Sequence, residues 1–511
     1  MIRSRRSTRL LWPVLAFVFT SCGTAPSPSP ASTKDDTATT RLRADLHFLA
    51  SDHLEGRGTP SRGLDAAALY LETQLRLAGV APGVSDSFRQ WYRIGEYAPG
   101  QARIAVQIAG RVIPPSEYLF LNFGRDPHLG PLEADLVSAG FGVVAEEKKV
   151  NDLEGLDLRG QAVIARKGAA WPLDSQAVFG WDRAIGKLLA VTARGAQLLI
   201  YASPDLDRPS DAEAGFFGQM KNVPVGFVRE PGLGPGGQPA SALNPALVIT
   251  PQALAAALGS DLEKLPRGPL GKKIQIRTEV AVRDGRASNV LGRIEGTDPA
   301  LRNQWIVLTA HYDHLGSHSV PAGQDGIWNG ADDNASGTSV VLEIARRLAA
   351  ERPRRGVLVF FTSGEDRGVF GSAVYSLKPV VPMDQVVVNI NVDMVGRSQG
   401  RVQGIADGTP GLFHKAVELG GRHGVEVIPD QQPSWRISYL TDCYHFLRLG
   451  VPAIEFFTGL HGDYHQPTDT ADKIRYPEMA RILEAVTELV RYYAGGAPKP
   501  EFRRPEWFLT P

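Results

Sequence analysis

Five short segments of this 511-residue chain carry side chains that could bind metal ions or move a proton. The candidate groups are His311 with Asp313, Asp333, Glu365 with Asp366, Asp393, and His465. Zinc binds imidazole nitrogen and carboxylate oxygen, so two histidines and three carboxylates suffice for two ions if one carboxylate bridges them. A remaining carboxylate could then take a proton from water. These residue types therefore predict a dinuclear metal centre suited to hydrolysis.

Three of the segments follow continuous apolar runs that predict buried parallel strands. The runs cover residues 305–309, 356–361 and 386–390, and they are rich in β-branched and aromatic side chains. In an open α/β sheet, functional groups collect at the carboxyl ends of the strands. The sequence therefore predicts an α/β fold in which one edge of the sheet gathers the candidate ligands.

The order and setting of the five segments resemble the dinuclear zinc exopeptidase family, which includes bacterial leucyl aminopeptidases, plasma glutamate carboxypeptidase and glutamate carboxypeptidase II. The similarity extends over about residues 288–473, with a weaker match at 46–81. It implies a mixed, largely parallel central sheet flanked by helices. It also implies two zinc ions per chain, although other divalent ions could replace them, because oxygen and nitrogen ligands discriminate weakly among such ions.

The resemblance implies metal-ligand roles for five positions. His311 and Asp393 would bind one zinc ion. Asp366 and His465 would bind the other, and Asp333 would bridge the two. At position 366 the family more often has Glu, which is one methylene longer. We therefore expect the metal position or the relative occupancy of the two sites to differ in this chain.

The resemblance also implies the groups that surround the metals. Glu365 matches the general base, and Tyr464 matches a tyrosine that donates a hydrogen bond to the developing oxyanion. Asp313 would orient His311 from behind the metal. In the family a cis peptide bond commonly follows the bridging Asp, so we expect one after residue 333.

The substrate-binding residues are matched by a shorter segment. Thr441 and Asp442 resemble a Ser-Asp or Thr-Asp pair that helps to form the pocket for a substrate ammonium group. Some family aminopeptidases carry an Arg two residues before this Asp, where this chain has Leu440. Arg436 could instead meet a substrate carboxylate. The expectation is an aminopeptidase acting on peptides, with a dipeptidase or carboxypeptidase of the same family as the alternative.

Two further functions remain as alternatives. A glutaminyl cyclase-like acyltransferase shares the scaffold and uses one zinc ion through the positions of Asp333, Asp366 and His465. A non-catalytic, receptor-like binding protein is the other, and it arises on this scaffold when ligands are lost. The full set of five ligand positions favours the peptidase.

The first residues predict export. Residues 1–9 hold four arginines, residues 10–19 form an apolar stretch too short to span a membrane, and small residues precede Cys22. Residues 1–22 therefore resemble a lipoprotein-type signal peptide with Cys22 acylated, and an ordinary signal peptide with an incidental Cys is the alternative. Residues 23–40 are rich in Ser, Pro and Thr and predict a flexible tether. We expect an exported bacterial lipoprotein at the periplasmic face of the membrane or at the cell surface, touching the membrane through this anchor alone.

The middle of the chain predicts an inserted domain. The order of elements around residues 157–166 and 194–201 resembles the protease-associated domain, a β-rich module that would cover the cleft. The predicted organisation is a first peptidase part at 41–111, the insertion at 112–260, a second peptidase part at 261–495 and a tail at 496–511. With Cys22 removed, Cys443 is the remaining cysteine, so no internal disulfide is expected.

Charge and composition exclude some partners. The chain has 55 basic and 55 acidic residues, and no basic run outside the signal segment indicates nucleic acid binding. A hydrophobic content of 43% is typical of globular proteins. A peptide substrate fits this balance better.

Overall fold

The computed structural model describes residues 33–97, 102–122, 130–145, 149–170, 183–204, 206, 225–229, 244–431, 433 and 436–505. The predicted signal peptide at 1–22 and the first part of the tether, 23–32, lie outside the described residues, as does the end of the tail at 506–511. Within the described ranges, none of the helices combines the length and the apolar character needed to cross a membrane.

The secondary structure alternates between helices and strands. The helices are α1 Thr33–Leu49, α2 Arg62–Leu77, α3 Ala184–Thr192, α4 Pro251–Leu258, α5 Gly337–Glu351, α6 Phe370–Leu377, α7 Pro410–Arg422, α8 Cys443–Arg448 and α9 Tyr476–Ala494. The strands are β1 Ala81–Pro82, β2 Arg89–Tyr97, β3 Arg103–Ile108, β4 Arg111–Ile113, β5 Tyr118–Leu121, β6 Leu132–Ser138, β7 Val144–Ala145, β8 Val150–Asn151, β9 Ala162–Arg166, β10 Leu198–Ala202, β11 Val225–Val228, β12 Ala246–Ile249, β13 Gly268–Glu279, β14 Arg283–Ile294, β15 Trp305–His311, β16 Gly316–Ser317, β17 Ile327–Trp328, β18 Gly356–Thr362, β19 Val386–Val392, β20 Arg401–Ile405, β21 Glu426–Ile428 and β22 Ala453–Phe457.

A ten-stranded mixed sheet forms the centre of the molecule. Its order is β11-β2-β14-β18-β15-β19-β22-β20-β21, with β1 paired to β14. The four middle strands β18, β15, β19 and β22 run parallel, while β2, β14 and β11 pair antiparallel at one side. The three predicted apolar runs are β15, β18 and β19, and every residue of these strands is buried. The predicted mixed α/β fold is therefore confirmed, with parallel pairing concentrated in the middle of the sheet.

Helices cover both faces of this sheet because its central strands are apolar on both sides. Ile306 and Leu308 belong to the core that includes α5 and α9. Val307, between them in sequence, packs on the opposite face with Phe446 of α8. Alternating residues of one strand thus enter two different cores, as expected for a strand buried on both faces.

Helix α1 corrects the predicted tether. It begins at Thr33, so residues 33–40 are helical rather than part of a flexible linker. Residues 31–55 contain no Pro or Gly that would break a helix. Ala38 and Leu42 are buried against the main core, which stabilises the start of the helix beyond its local sequence.

A second sheet of eight strands is formed by residues that lie between β2 and β14 in the sequence. Its order is β4-β3-β13-β6-β9-β10-β12-β5. The chain thus contains a β-rich insertion, and strands β3 and β13 of this sheet lie beyond the predicted limits of 112–260. Strand β11 leaves this region to pair with β2 of the central sheet. The domain limits and the assignment to a protease-associated domain stay predictions.

An apolar cluster joins this second sheet to the part of the chain that builds the central sheet. Leu189 of α3 and Val163 of β9 share one buried cluster with Tyr439, Cys443 and Leu447. Burial raises the pKa of the Cys443 thiol well above its usual value, so this cysteine is a core residue with an inert thiol. The insertion therefore packs directly behind the segment that carries Thr441 and Asp442.

Candidate metal centre

The carboxyl ends of three parallel strands bring the first candidate ligands together. Strand β15 ends at His311, and Asp393 follows the last residue of β19. Glu365 and Asp366 come three and four residues after the end of β18. Because β18, β15 and β19 are neighbours in parallel register, their ends meet at one edge of the sheet.

Asp333 is supplied by a tight turn immediately before α5. The peptide bond between Asp333 and Asn334 is cis, as predicted. The Asn334 side chain fixes this turn, since its Nδ2 donates to the Val392 carbonyl at 3.0 Å and its Oδ1 accepts from the Gly337 amide at 2.9 Å. The turn is thereby tied to both the start of α5 and the end of β19, which bears Asp393.

One imidazole and two carboxylates form what we call the first group, consisting of His311, Asp333 and Asp393. His311 Nε2 lies 3.2 Å from Asp333 Oδ1 and 3.3 Å from Asp393 Oδ1. All three residues are buried. Asp313 Oδ1 faces the other ring nitrogen of His311 at 3.7 Å, the side on which it was expected to orient the ring. Candidate donor atoms of the three residues are close enough together to share one metal ion.

A second group shares Asp333 and consists of Asp333, Asp366, His465 and His314. His465 Nε2 lies 3.2 Å from Asp333 Oδ2 and 3.1 Å from Asp366 Oδ1. His314 Nδ1 lies 2.8 Å from Asp366 Oδ2 and 3.8 Å from Asp333 Oδ2. The two oxygens of Asp333 thus face the two groups separately, as a bridging carboxylate would.

His314 is the member of the second group that sequence reasoning missed. It lies three residues after His311, beyond the end of β15, where strand alternation no longer gives a side-chain direction. Its position comes from a tertiary contact: the His314 amide donates to the Arg57 carbonyl at 3.2 Å, and Gly58 forms an isolated bridge with it. The available signal was a second imidazole inside the same short segment, but its partner segment lies about 255 residues away.

The neighbouring Asp332 points elsewhere. Its Oδ1 accepts from the Gly396 amide at 2.6 Å, and its Oδ2 lies 3.1 Å from His461 Nε2. Asp332 therefore binds a neighbouring loop, whereas Asp333 faces both groups.

Neighbouring charges shift the pKa values of the residues in both groups. Burial alone would lower the pKa of His311, but the Asp393 and Glu365 carboxylates outweigh it and raise that pKa well above its usual value. Burial alone would likewise lower the pKa of His465, yet hydrogen bonds to Asp333 and Asp366 raise it to about 10. Burial would raise the pKa of Asp333, but the surrounding histidines hold it well below its usual value. Protons and metal ions would therefore compete for the same atoms.

Glu365 and Tyr464 lie beside the two groups and line the same cavity. Burial, with the Asp366 and Asp393 charges, raises the pKa of Glu365 well above its usual value. The Glu365 amide donates to Asp313 Oδ1 at 3.3 Å, which ties its backbone to the end of β15. The Tyr464 ring stacks on His465 with centroids 3.8 Å apart, and burial raises its pKa, so its hydroxyl remains a donor.

A buried arginine supports the centre from behind. Arg57 is 1% exposed and donates to the backbone carbonyls of Tyr312, Asn329 and Gly330 at 2.8–3.0 Å. Burial lowers its pKa to about 10, while the nearby carboxylates, Asp313 first, act in the opposite direction. Arg57 therefore ties the segment after His311 to the segment before Asp333 and adds a positive charge near both.

The predicted substrate residues fall into two sets. Thr441 lines a cavity whose wall also contains Asp333, Glu365 and Asp393. Asp442 and Arg436 are not among the described residues that line this cavity. Asp442 accepts from the Thr362 hydroxyl, and burial raises its pKa to about 6. Asp442 and Arg436 are both buried.

Comparison with known proteins places this geometry in a family. Residues 289–490, which include all five predicted ligand positions, match the sequence profile of peptidase family M28. This matched part, which is less than half of the chain, is similar to peptidase family M28. The predicted resemblance to the zinc exopeptidases is thus confirmed for this part of the chain.

Two relatives of this chain are named as a metalloprotease and an aminopeptidase. A "Probable zinc metalloprotease" of Pyrenophora tritici-repentis (strain Pt-1C-BFP) is 26% identical over 216 residues, which are 36% of this chain and 44% of that protein. "Aminopeptidase YwaD" of Bacillus subtilis (strain 168) is 28% identical over 203 residues, 38% of this chain and 42% of that protein. The match therefore spans less than half the length of each relative. A solved structure named "Aminopeptidase from Aneurinibacillus sp. strain AM-1" aligns with a TM-score of 0.49 at 20% identity, over 92% of this chain and 97% of that one.

Proposed function

We propose that this chain is a zinc-dependent exopeptidase that removes residues from the free amino end of peptides. The observation that carries the proposal is the pair of imidazole–carboxylate groups sharing Asp333, with Glu365 on the wall of the same cavity. The names of the two relatives, a zinc metalloprotease and an aminopeptidase, support it.

The charges of the two groups fit divalent metal ions. Asp333, Asp366 and Asp393 have buried side chains, and in the described part of the chain their ion pairs are with histidines rather than with Lys or Arg. Buried carboxylates require a compensating charge, which a cation held among neutral imidazoles supplies. Nitrogen and carboxylate oxygen are donors that zinc accepts. We therefore assign one ion to each group, two per chain.

His314 has no role implied by the family resemblance, but it lies in the second group beside Asp366. Asp366, which is shorter than the usual Glu, lies at 2.8 Å from His314 and 3.1 Å from His465. In this arrangement His314 adds a nitrogen donor on the side of Asp366 opposite His465. We propose that His314 is a ligand of the second ion and compensates for the shorter carboxylate.

The proposed reaction follows from the positions of the side chains. Bound zinc supplies Lewis acidity, which polarises a carbonyl oxygen and makes water a nucleophile near neutral pH. Glu365 accepts a proton from the attacking water, whose oxygen joins the scissile carbonyl carbon, and returns that proton to the amine nitrogen as the C–N bond breaks. The Tyr464 hydroxyl donates to the carbonyl oxygen as negative charge develops there.

The cavity favours the amino end of a peptide over the carboxyl end. Its lining contains five acidic residues and, among the described residues, no Lys or Arg. With the three aspartates assigned to the two ions, Glu365 and Glu455 remain to attract a substrate ammonium, and no described Lys or Arg of the lining would bind a terminal carboxylate. Since Arg436 does not line the cavity, carboxypeptidase activity has less support, and it stays the alternative.

The cyclase-like alternative would need one ion held by Asp333, Asp366 and His465. The first group, with His311 and Asp393 beside the shared carboxylate, provides a complete further set of donors. This favours a two-ion hydrolase over the acyltransferase and over a non-catalytic binding protein.

Export and the cleft-covering insertion are part of the proposal. The sequence of residues 1–22 supports a lipoprotein signal with Cys22 acylated. The packing of α8 against the second sheet supports a protease-associated domain that limits access to the cavity. Replacement of Cys22 by Ala should release the protein from the membrane fraction, whereas continued membrane association would contradict the lipid anchor.

The test of the activity is a peptide digest followed by mass spectrometry. The zinc-loaded protein is incubated with a peptide mixture and with the same peptides acetylated at the amino end. We expect loss of first residues from the free peptides alone. Trimming from the carboxyl end, or loss of ammonia from amino-terminal Gln, would instead support the carboxypeptidase or the cyclase.

A further inference from the structure

A buried glutamate lies in the cavity wall away from the two metal groups. Glu455, in the middle of β22, is 1% exposed and is the fifth acidic residue of the lining. Its position between β19 and β20, opposite Asn391 and Ile405, is fixed by sheet register. It belongs to neither the first nor the second group.

One oxygen of this carboxyl is satisfied and the other is free. Glu455 Oε2 accepts a hydrogen bond from the Thr441 hydroxyl at 2.5 Å. Glu455 Oε1 has no hydrogen-bond partner among the described residues, and no described Lys, Arg or His forms an ion pair with the side chain. A buried carboxyl oxygen without a partner is costly, so its position in a cavity wall indicates a ligand.

The depth of Glu455 separates it from the metal edge. Its register partner Asn391 lies two residues before Asp393, so Glu455 is about 6–7 Å further into the sheet than that ligand. Met394, Ile437 and Phe457 provide apolar wall in the same cavity. A side chain with a four-carbon apolar stem and a terminal cation matches this combination of depth, walls and terminal acid.

We propose that Glu455 Oε1 binds the cationic end of a basic side chain on the first residue of the substrate, which gives a preference for Lys and Arg at that position. This inference rests on the proposed function for the orientation of the peptide. Thr441 acts as the residue that holds the carboxyl in place. Burial raises the pKa of Glu455 well above its usual value, and a bound cation would restore the charged form.

The first part of the test measures turnover in the full zinc-loaded chain. Peptides beginning with Lys and with norleucine have the same four-carbon stem, but norleucine lacks the ammonium group. We expect E455Q, which keeps the shape of the side chain, to lower the ratio of kcat/KM for Lys over norleucine by roughly ten- to hundredfold. An unchanged ratio would overturn the proposal. So would an equal loss on both peptides, because that pattern would place the α-amino group at Glu455.

The second part measures binding without turnover and uses an exposed carboxyl as control. Calorimetry with butylamine and butanol compares a cation with a neutral molecule of equal stem length. We expect butylamine to bind more tightly than butanol, and this difference to be lost in E455Q but kept in E418Q, whose side chain is exposed on α7. A butylamine difference without peptide cleavage would leave the cation site intact and reject the peptidase; cleavage without that difference would do the reverse.

Discussion

The first and second groups use the same chemistry but are built from different parts of the fold. His311 and Asp393 stand at the ends of adjacent buried strands, and their side chains are at most 10% exposed. The second group draws His465 from a loop after β22, where its backbone has a φ of 56° and its side chain is 27% exposed. The second group also contains His314, and it has Asp366 where the related family more often has Glu.

This difference indicates that the strand ends fix the first group, whereas the second group depends on loops that must meet correctly. The tolerance for change is greater where loops supply the ligands. We therefore infer that the shorter acid at 366 and the imidazole at 314, which lie 2.8 Å apart, compensate for each other within the second group. The following predictions separate the two groups, beginning with the residue that they share.

Replacement of Asp333 by Asn should have the largest effect, because its two oxygens face both groups. We expect zinc content to fall from two ions per chain and activity to fall by more than the 10- to 100-fold typical of partners behind the ligands. Metal analysis and kcat/KM provide the measurements. Asp332→Asn is the matched control: this carboxyl is also buried but bonds the Gly396 amide, so its replacement should leave the zinc count at two. Equal zinc loss in both variants would contradict the assignment.

Replacement of His314 by Ala should weaken the second group and spare the first. We expect about 10- to 100-fold weaker binding of one of the two ions. Cobalt-loaded protein would report the lost nitrogen ligand through its visible absorption spectrum, independently of activity. His318→Ala serves as control, since the His318 ring lies edge-on to Trp328 and belongs to neither group. An unchanged cobalt spectrum and unchanged affinity would exclude His314 as a ligand.

Restoring the family's acid with Asp366→Glu should have a smaller effect, whose direction depends on residue 314. Beside His314, which already contacts Asp366 at 2.8 Å, the longer side chain is crowded, so zinc affinity should fall, by less than about tenfold. In the His314→Ala background the same change should raise affinity, because it fills the space released. A double-mutant cycle on zinc affinity measures this coupling. Additive effects of the two substitutions would contradict compensation between residues 314 and 366.

The stability of the metal-free protein should decrease modestly as the pH rises. The folded-state pKa of His465 is raised to about 10 from an ordinary 6.5, so its stabilising contribution is complete below pH 6.5 and is lost as the pH rises toward 10. Glu365, with its raised pKa, acts in the same direction, because the folded state binds the extra proton. We expect Tm to fall by a few degrees over this range without metal. Zinc should remove most of the slope, and an upward slope in the metal-free protein would contradict the charge arrangement.

The sequence predicts the central strands and the nearness of the candidate residues at their ends, because both follow from short-range patterns. The apolar runs identify β15, β18 and β19, and parallel strands that end together must gather His311, Asp366 and Asp393. The family resemblance supplied the choice of Asp333 over Asp332, which residue types alone leave open. His314 and Glu455 were missed for a physical reason. Each acquires its role from a neighbour distant in sequence, the Arg57 segment in one case and Thr441 with the cavity in the other.

The start of α1 was missed for a related reason. Composition across residues 23–40 is typical of a linker, but burial of Ala38 and Leu42 against the core decides the structure of residues 33–40. Tertiary packing of this kind overrides local composition and is not visible in a short window of sequence.

The most direct test of the account is the activity of Glu365→Gln measured on protein whose zinc content is known. Glu365 contributes a proton acceptor and is assigned to neither metal, so the variant should keep two zinc ions per chain. Its turnover of free amino-end peptides should fall by about 10²- to 10⁴-fold. Turnover near that of the unchanged protein, with both ions bound, would contradict the central claim that Glu365 moves the proton in a two-zinc hydrolase.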